Sequence, residues 1–226
     1  MRSLSIFITL FLLVSPVQAE EALPFKKGET IKYSVKKLAF KAGDATLTYH
    51  GQQNVDGREV CLIVFKADGF NFYDEEKIYM DAKTYAPIVV ERDLNIFGKK
   101  EKITEEYLEG KIKITKIVKG KKTVETMTKK GQIDNIYGAI YHYRQTGTFK
   151  VGDEMMLRLP TMDVTLKLAK TVKIDAGGKK YDAYYMESVP AKFMVWFDTS
   201  PKRIPLRING SVGMANTVMT MTEYKE

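Results

Sequence analysis

Cysteine is almost absent: Cys61 stands alone in 226 residues. An intrachain disulfide and a thiolate metal site are therefore excluded. Histidine is nearly as scarce. His50 and His142 lie far apart, with neither an HxH nor an HExxH spacing. A zinc or iron site would need partners the chain hardly has, so both read as structural or surface residues. There is no GxSxG elbow, and Cys61 sits in an apolar run, where a thiol is inert packing. No glycine-rich phosphate loop is present, because Gly177-Gly178 reads as a hairpin turn. Any Asp and Glu can meet in a fold, which leaves paired carboxylates open. Asp74-Glu75-Glu76 and Glu105-Glu106 nevertheless read as surface charge. Catalysis has no positive signal, and the expectation is a protein that is not an enzyme and carries no cofactor.

Long apolar runs are missing too. Leu4–Val14 covers 11 residues, about half of the roughly 20 needed to span a bilayer. Arg2 precedes it and Val17-Gln18-Ala19 follows it, the pattern of a signal peptide cleaved after Ala19. No cysteine follows to take a lipid. Residues 1–19 are thus expected to be removed, leaving 207 residues in the periplasm with no transmembrane segment. An exported chain without disulfides depends on its apolar core, and nucleic acid is a poor partner for it.

The charge is concentrated. Lys99–Lys130 holds eleven lysines against five glutamates, which is most of the formal net charge of +8. Tyr107 stands there without the interleaved aromatics that stack on bases. The plainer reading is a solvated sheet face whose lysines blunt an exposed edge. The sharper one is an attraction to anionic head groups.

Apolar residues recur with a period close to 2 almost throughout, the mark of strands. Thr30–Lys37, Ala45–Gln53, Val60–Phe65, Phe72–Met80 and Pro87–Phe97 form a first sheet half, residues 25–97. Lys102–Leu108, Lys111–Val118 and Lys122–Thr128 are basic strands within 98–130. Glu154–Pro160, Asp163–Thr171, Lys180–Ser188, Lys192–Asp198, Pro205–Asn209 and Ser211–Glu223 form a second half, 149–224. Turn chemistry separates them at Lys27-Gly28-Glu29, Ala42-Gly43-Asp44, Asp56-Gly57 and Gly177-Gly178. Residues 133–147 give one helix, with Asp134 as N-cap, Gly147 just past its end and Ile136, Ile140 and Tyr143 as its apolar stripe. The fold class is all-β: one domain over 20–226, a large antiparallel sheet curled toward a half-open barrel, with the helix on the concave side.

The halves echo each other. Phe25-Lys26-Lys27-Gly28-Glu29 matches Phe149-Lys150-Val151-Gly152-Asp153. Gly57-Arg58 matches Gly178-Lys179, and Asp81 with Pro87 matches Asp198 with Pro205. Aromatics are the other resource. Tyr137, Tyr141 and Tyr143 on the helix and Trp196 in the second half are the candidate ligand-binding residues, with core packing as the plainer reading. The leading function is binding of a lipid-like or lipoprotein-like envelope molecule. An envelope assembly protein that contacts other proteins is the alternative, and a hydrolase comes third.

These stretches carry a resemblance. Phe25–Tyr33, Ala42–Thr46, the helix positions Asp134, Ala139, Tyr141 and Arg144, then Phe149–Asp153 and Trp196–Ile208 resemble a widespread family of exported bacterial proteins. That family is classed only as a domain of unknown function. It is similar at a distance to the periplasmic lipoprotein carriers LolA and LolB, whose half-open barrel holds acyl chains. The resemblance implies a fold and a compartment, and no catalytic residue. Gly138 departs from the pattern, where a helix-friendly small residue is expected.

Overall fold

Alternation of buried and open positions runs through nearly every element, as in Thr30–Lys37, where Ile31, Tyr33 and Val35 point into the core. The computed structural model describes residues 23–37, 40–210 and 217–226, so the leader-like segment lies outside it. The strands are β1 (Thr30–Lys37), β2 (Phe40–Val55), β3 (Arg58–Gly69), β4 (Phe72–Asp81), β5 (Pro87–Ile96), β6 (Lys99–Leu108), β7 (Lys111–Val118) and β8 (Lys121–Thr128). After α1 (Ile136–Thr146) come β9 (Glu154–Leu159), β10 (Met162–Ala176), β11 (Lys179–Val189), β12 (Met194–Asp198), β13 (Pro205–Asn209) and β14 (Thr217–Lys225). The first six residues expected in the last strand, 211–216, fall outside the described part.

All fourteen strands form one antiparallel sheet in the order 8-7-6-5-4-3-2-1-14-13-12-11-10-9. Every pairing joins chain neighbours except β1 with β14, which knits the two halves into one surface. Ala42-Gly43-Asp44 is not a turn. Gly43 lies inside β2, where a Cβ would stand 2.1 Å from the Asp68 carbonyl oxygen, so glycine there permits a close strand crossing.

The sheet curls around the helix, and a short argument from chain length shows it. Asp134 exchanges two hydrogen bonds with Arg158 on β9, each 2.8 Å long. Three residues later, Tyr137 stacks on Phe65 of β3, with centroids 4.5 Å apart. Three residues reach at most about 11 Å. In a flat sheet, β3 and β9 would lie eight strand spacings apart, about 38 Å. The sheet therefore wraps α1 on its concave side. Lys129 draws the far edges together by donating to the Leu159 carbonyl and pairing with Asp163 at 2.7 Å, yet β8 and β9 do not pair and the barrel stays open.

The helix starts one residue later than its sequence suggests. Asn135 is the N-cap and accepts from the Tyr137 and Gly138 amides at 2.9 and 3.3 Å, while Asp134 is committed to β9. Gly138 has a packing reason: a Cβ there would stand 2.7 Å from Met80 Sδ. Tyr137, Gly138, Ala139, Ile140, Tyr141, Tyr143 and Arg144 are all buried, which is far more than one stripe.

The sequence echo corresponds to a repeated hydrogen-bond pattern. Gly28 and Gly152 adopt φ +95 and +99. Gly28 N–H donates to Tyr49 O, and Gly152 N–H donates to Leu168 O. In return, Tyr49 N–H donates to Glu29 O, and Leu168 N–H donates to Asp153 O. β1–β6 and β9–β14 thus occupy equivalent runs of the sheet, with β7, β8 and α1 between them in sequence. Each of the two turns holds the helix: Tyr141 donates to Glu29 at 3.1 Å and Tyr143 to Asp153 at 3.5 Å.

The acidic run Asp74-Glu75-Glu76 is a correction. Only Glu75 faces outward. Asp74 is fully buried and takes Arg92 Nε at 2.7 Å, while Glu76 lies 3.3 Å from the same guanidinium with its side chain 14% exposed. The lysines of β6–β8 are also not confined to one wet face. Lys116 turns inward to Glu101, while Lys113 pairs with Glu106 on the outer side.

Burial sets Glu76's titration. It pushes the carboxyl up from 4.5 to about 7, against the pull of Arg92 and with help from Asp74 and Glu105. Between these two values the folded protein holds a proton that the unfolded chain has released. Stability contributed by this group therefore falls as pH rises from 4.5 to about 7, by roughly 3 kcal/mol at most. His142, lowered by burial, tilts the curve the opposite way over the upper part of that range. Urea melts across the window should show a less negative slope for Glu76→Gln than for the wild type. Parallel slopes would mean that Glu76 stays ionised in the fold.

Candidate binding cleft

The F-K-K-G-E turn brings Phe25 under the end of the helix, and a cleft forms around it. This cleft measures about 790 Å³ and lies between residues 23–27, the β2 bulge, the β4–β5 turn and Gln145. Its floor is aromatic. Phe25 meets Tyr49 and Tyr141 edge-on at 4.8 Å each and Tyr85 at 6.3 Å. Its rim carries Lys26, Lys27 and Lys83, with Glu59 as the acidic member. β2 takes up one extra residue between Tyr49 and Gly51, at His50. Gly51 then runs at φ +82, and a Cβ on it would meet Lys27 Cγ at 2.9 Å. The missing side chain lets the lysine stem lie across the bulge.

Tyr85 divides this cleft from a second one of about 300 Å³, which includes Asp134, His142, Met155 and Arg158. Its backbone sits at φ +56, a left-handed conformation that costs an aromatic residue of order 1–2 kcal/mol. The turn holds it there. Tyr85 N–H and Asp81 O bond at 2.9 Å, and Asp81 Oδ1 accepts from the Lys83 and Thr84 amides. Those amides hold the Asp81 carboxyl below the usual range. His142 stacks parallel to the Tyr85 ring, and burial lowers its pKa, so it is neutral at pH 7.

Beneath the floor lies the best-satisfied polar group of the core. Glu29 receives Arg144 Nη1 and Nη2 at 2.7 and 2.8 Å, and the hydroxyls of Tyr141 and Tyr224 at 3.1 Å each. Arg144 also donates from Nε and Nη2 to the Lys202 carbonyl, and it lies over the Phe25 ring at 4.8 Å. Both side chains are fully buried.

Reactive groups are quiet here. Cys61 is buried beside the Tyr49 hydroxyl at 3.5 Å, and burial pushes its thiol up. Burial likewise keeps the Tyr49 and Tyr85 hydroxyls protonated. Among the described residues, no three His, Cys, Asp or Glu side chains are grouped to hold a metal ion, and no helix is long and apolar enough to cross a membrane. The arrangement offers an aromatic floor beside a cationic rim.

Of the residues singled out in the sequence, Tyr137, Tyr141 and Tyr143 come together in the core, each buried against protein groups. Trp196 does not join them. It lies on the convex face against Tyr185 at 4.9 Å and under Arg207. Phe25, Tyr49, Tyr85 and the lysines of the rim had not been singled out as ligand-binding residues. The available signals were the repeated turn at Phe25–Glu29 and the Asp81–Pro87 connection.

The family model described as a protein of unknown function (DUF3108) matches residues 29–222. No curated protein matches the chain. Among solved structures, a β-barrel-like protein of domain of unknown function DUF1849 from Brucella abortus superposes with a TM-score of 0.49 at 9% identity, over 88% of this chain and 97% of that one. A candidate exported protein with a YmcC-like fold from Bacteroides fragilis gives 0.33 at 6% identity, over 90% and 98%. A candidate lipoprotein from Parabacteroides distasonis gives 0.31 at 8%, over 88% and 96%.

Proposed function

The chain belongs to the DUF3108 family of proteins of unknown function, and from that starting point we propose a non-enzymatic binding protein of the cell envelope that takes a lipid-like amphiphile with an anionic head. One observation carries this reading: the 790 Å³ cleft combines a floor of Phe25, Tyr49 and Tyr85 with a rim of Lys26, Lys27 and Lys83. The apolar body of the ligand would lie in the cleft over Phe25, Tyr49 and Tyr85, which are 1%, 2% and 3% exposed, and its carboxylate or phosphate would meet the ammonium groups. The signal-peptide pattern of residues 1–19 supports a periplasmic site of action. Tyr141 serves the cleft as packed support behind Phe25 and Tyr49, while Tyr137 packs on Phe65, Tyr143 packs on Phe149 and Phe197, and Trp196 takes no part.

Native mass spectrometry of protein purified from the producing cells should show a co-purifying amphiphile. A fluorescent fatty acid should bind and be displaced by the extracted ligand. Lys27→Glu with Lys83→Glu should weaken that binding roughly tenfold or more, since each reversal turns an attraction into a repulsion worth about 1 kcal/mol or more. A clean apo mass together with no fatty-acid binding would end this reading. One discrete protein adduct on cross-linking in cells would then favour an assembly role.

A further inference from the structure

Four hairpins turn at the same end of the sheet, away from the cleft: β1–β2, β3–β4, β5–β6 and β7–β8. Phenylalanine stands at the first three. Phe40 is 77% exposed, Phe70 87% and Phe97 74%. The hairpins are adjacent in the sheet, so neighbouring tips lie about two strand spacings, or roughly 10 Å, apart along a row. None of the three rings contributes to the core.

Phe97 is also in the wrong kind of turn for its side chain. It adopts φ +50 and Gly98 φ +82, a two-residue turn that favours Asn or Asp at the first position. The β2–β3 turn has Asp56 there, at φ +51. An exposed phenylalanine in a strained backbone position helps neither folding nor solubility, so the reason for it lies outside the folded chain.

The surroundings indicate the partner. Lys36, Lys100, Lys119, Lys121 and Lys122 flank the tips, all exposed and none ion-paired among the described residues. Asp44 is tied to Lys41 at 2.8 Å, and Asp68 is the exposed acid nearest in sequence to Phe70. Three rings on separate turns form no continuous patch, so a folded partner would need three separate sockets. A fluid interface accepts each ring where it falls and places its head-group charge against the lysines.

We infer that this end of the sheet docks on an anionic phospholipid surface, with Phe40, Phe70 and Phe97 entering the head-group region and the flanking lysines supplying the attraction. Buried apolar side chains and electrostatic attraction to anionic lipid add together in binding to a membrane interface. The cleft then faces away from the lipid, toward the aqueous side. This inference stands apart from the cleft's ligand and is tested separately.

The purified protein would be sedimented with vesicles of phosphatidylethanolamine and phosphatidylglycerol, and with vesicles of phosphatidylcholine alone. Binding is expected to the anionic vesicles, falling roughly tenfold or more in Phe40→Ser/Phe70→Ser/Phe97→Asn. The same variant should melt no lower than the wild type, because the rings are exposed and Asn suits the turn. Lys119→Glu/Lys121→Glu/Lys122→Glu should abolish the preference for anionic lipid, whereas Lys27→Glu/Lys83→Glu should leave vesicle binding intact. No vesicle binding by the wild type would overturn the inference. So would undiminished binding by the phenylalanine variant, or a protein complex lost in that variant without any vesicle binding.

Discussion

Arg144→Met is expected to destabilise the protein by about 3–5 kcal/mol, because it leaves the Glu29 carboxylate charged and buried with half of its partners gone. For a chain of this size that corresponds to a melting temperature lower by roughly 6–20 °C. The estimate rests on geometry. Glu29 is fully buried, and Arg144 supplies two of its four hydrogen bonds. The same arginine ties three parts of the chain together: the turn before β1 through Glu29, the β12–β13 connection through Lys202 O, and the helix that carries it. Glu29→Gln should cost a similar amount by orphaning the guanidinium. The double variant Glu29→Gln/Arg144→Met should recover much of the loss, since the price of an unpaired buried charge then disappears. Denaturant melts of the four proteins form a double-mutant cycle with a coupling of at least about 1 kcal/mol. Arg144→Met with wild-type stability would sink the claim that this pair holds the helix.

The β-content was legible because nearly every strand alternates and each pairs with a chain neighbour, so local pattern and tertiary structure agree. β1, β7 and β13 fall on their expected bounds. The repeated turn was legible for a similar reason. A glycine at φ near +95 followed by an acid is required twice, at Gly28-Glu29 and Gly152-Asp153, and composition records it. The helix signal was weak for a physical reason. The sheet packs on several sides of α1, so a single amphipathic stripe was never required, and Gly138 was set by Met80 from another element. Asp74 and Glu76 were misread because Arg92 lies eighteen residues from Asp74, on the next strand, where no local pattern reveals it. The cleft was harder still. Its floor joins Phe25, Tyr49 and Tyr85 across a bulge and a left-handed tyrosine, neither of which alternation predicts. Tyr141 packs on Phe25 and Tyr49, and its position is where stability and binding can be told apart.

Tyr141→Ala should cost about 3–5 kcal/mol, in the range of large-to-small changes in a close-packed core. Its ring is fully buried, edge-on to Phe25 at 4.8 Å and stacked on Tyr49 at 5.6 Å, with Arg144 over its face at 4.9 Å. Its hydroxyl gives Glu29 one of four hydrogen bonds. Tyr141→Phe keeps the ring and removes only that bond, so it should cost about 1–2 kcal/mol. The gap between the two variants measures packing against polar support. Tyr141→Ala and Arg144→Met share Glu29 and the same rings, so their combined cost should fall short of the sum. A thermal melt beside a fatty-acid titration separates two roles for the helix. If Tyr141 is a packed support, the alanine variant melts early, and its remaining folded fraction binds only a few-fold more weakly as Phe25 and Tyr49 settle into the gap. If instead the ring touched ligand, binding by Tyr141→Phe and Tyr141→Ala would diverge far more than their stabilities. Tyr141 is fully buried and, unlike Phe25 and Tyr49, does not line the cleft, which favours the first result.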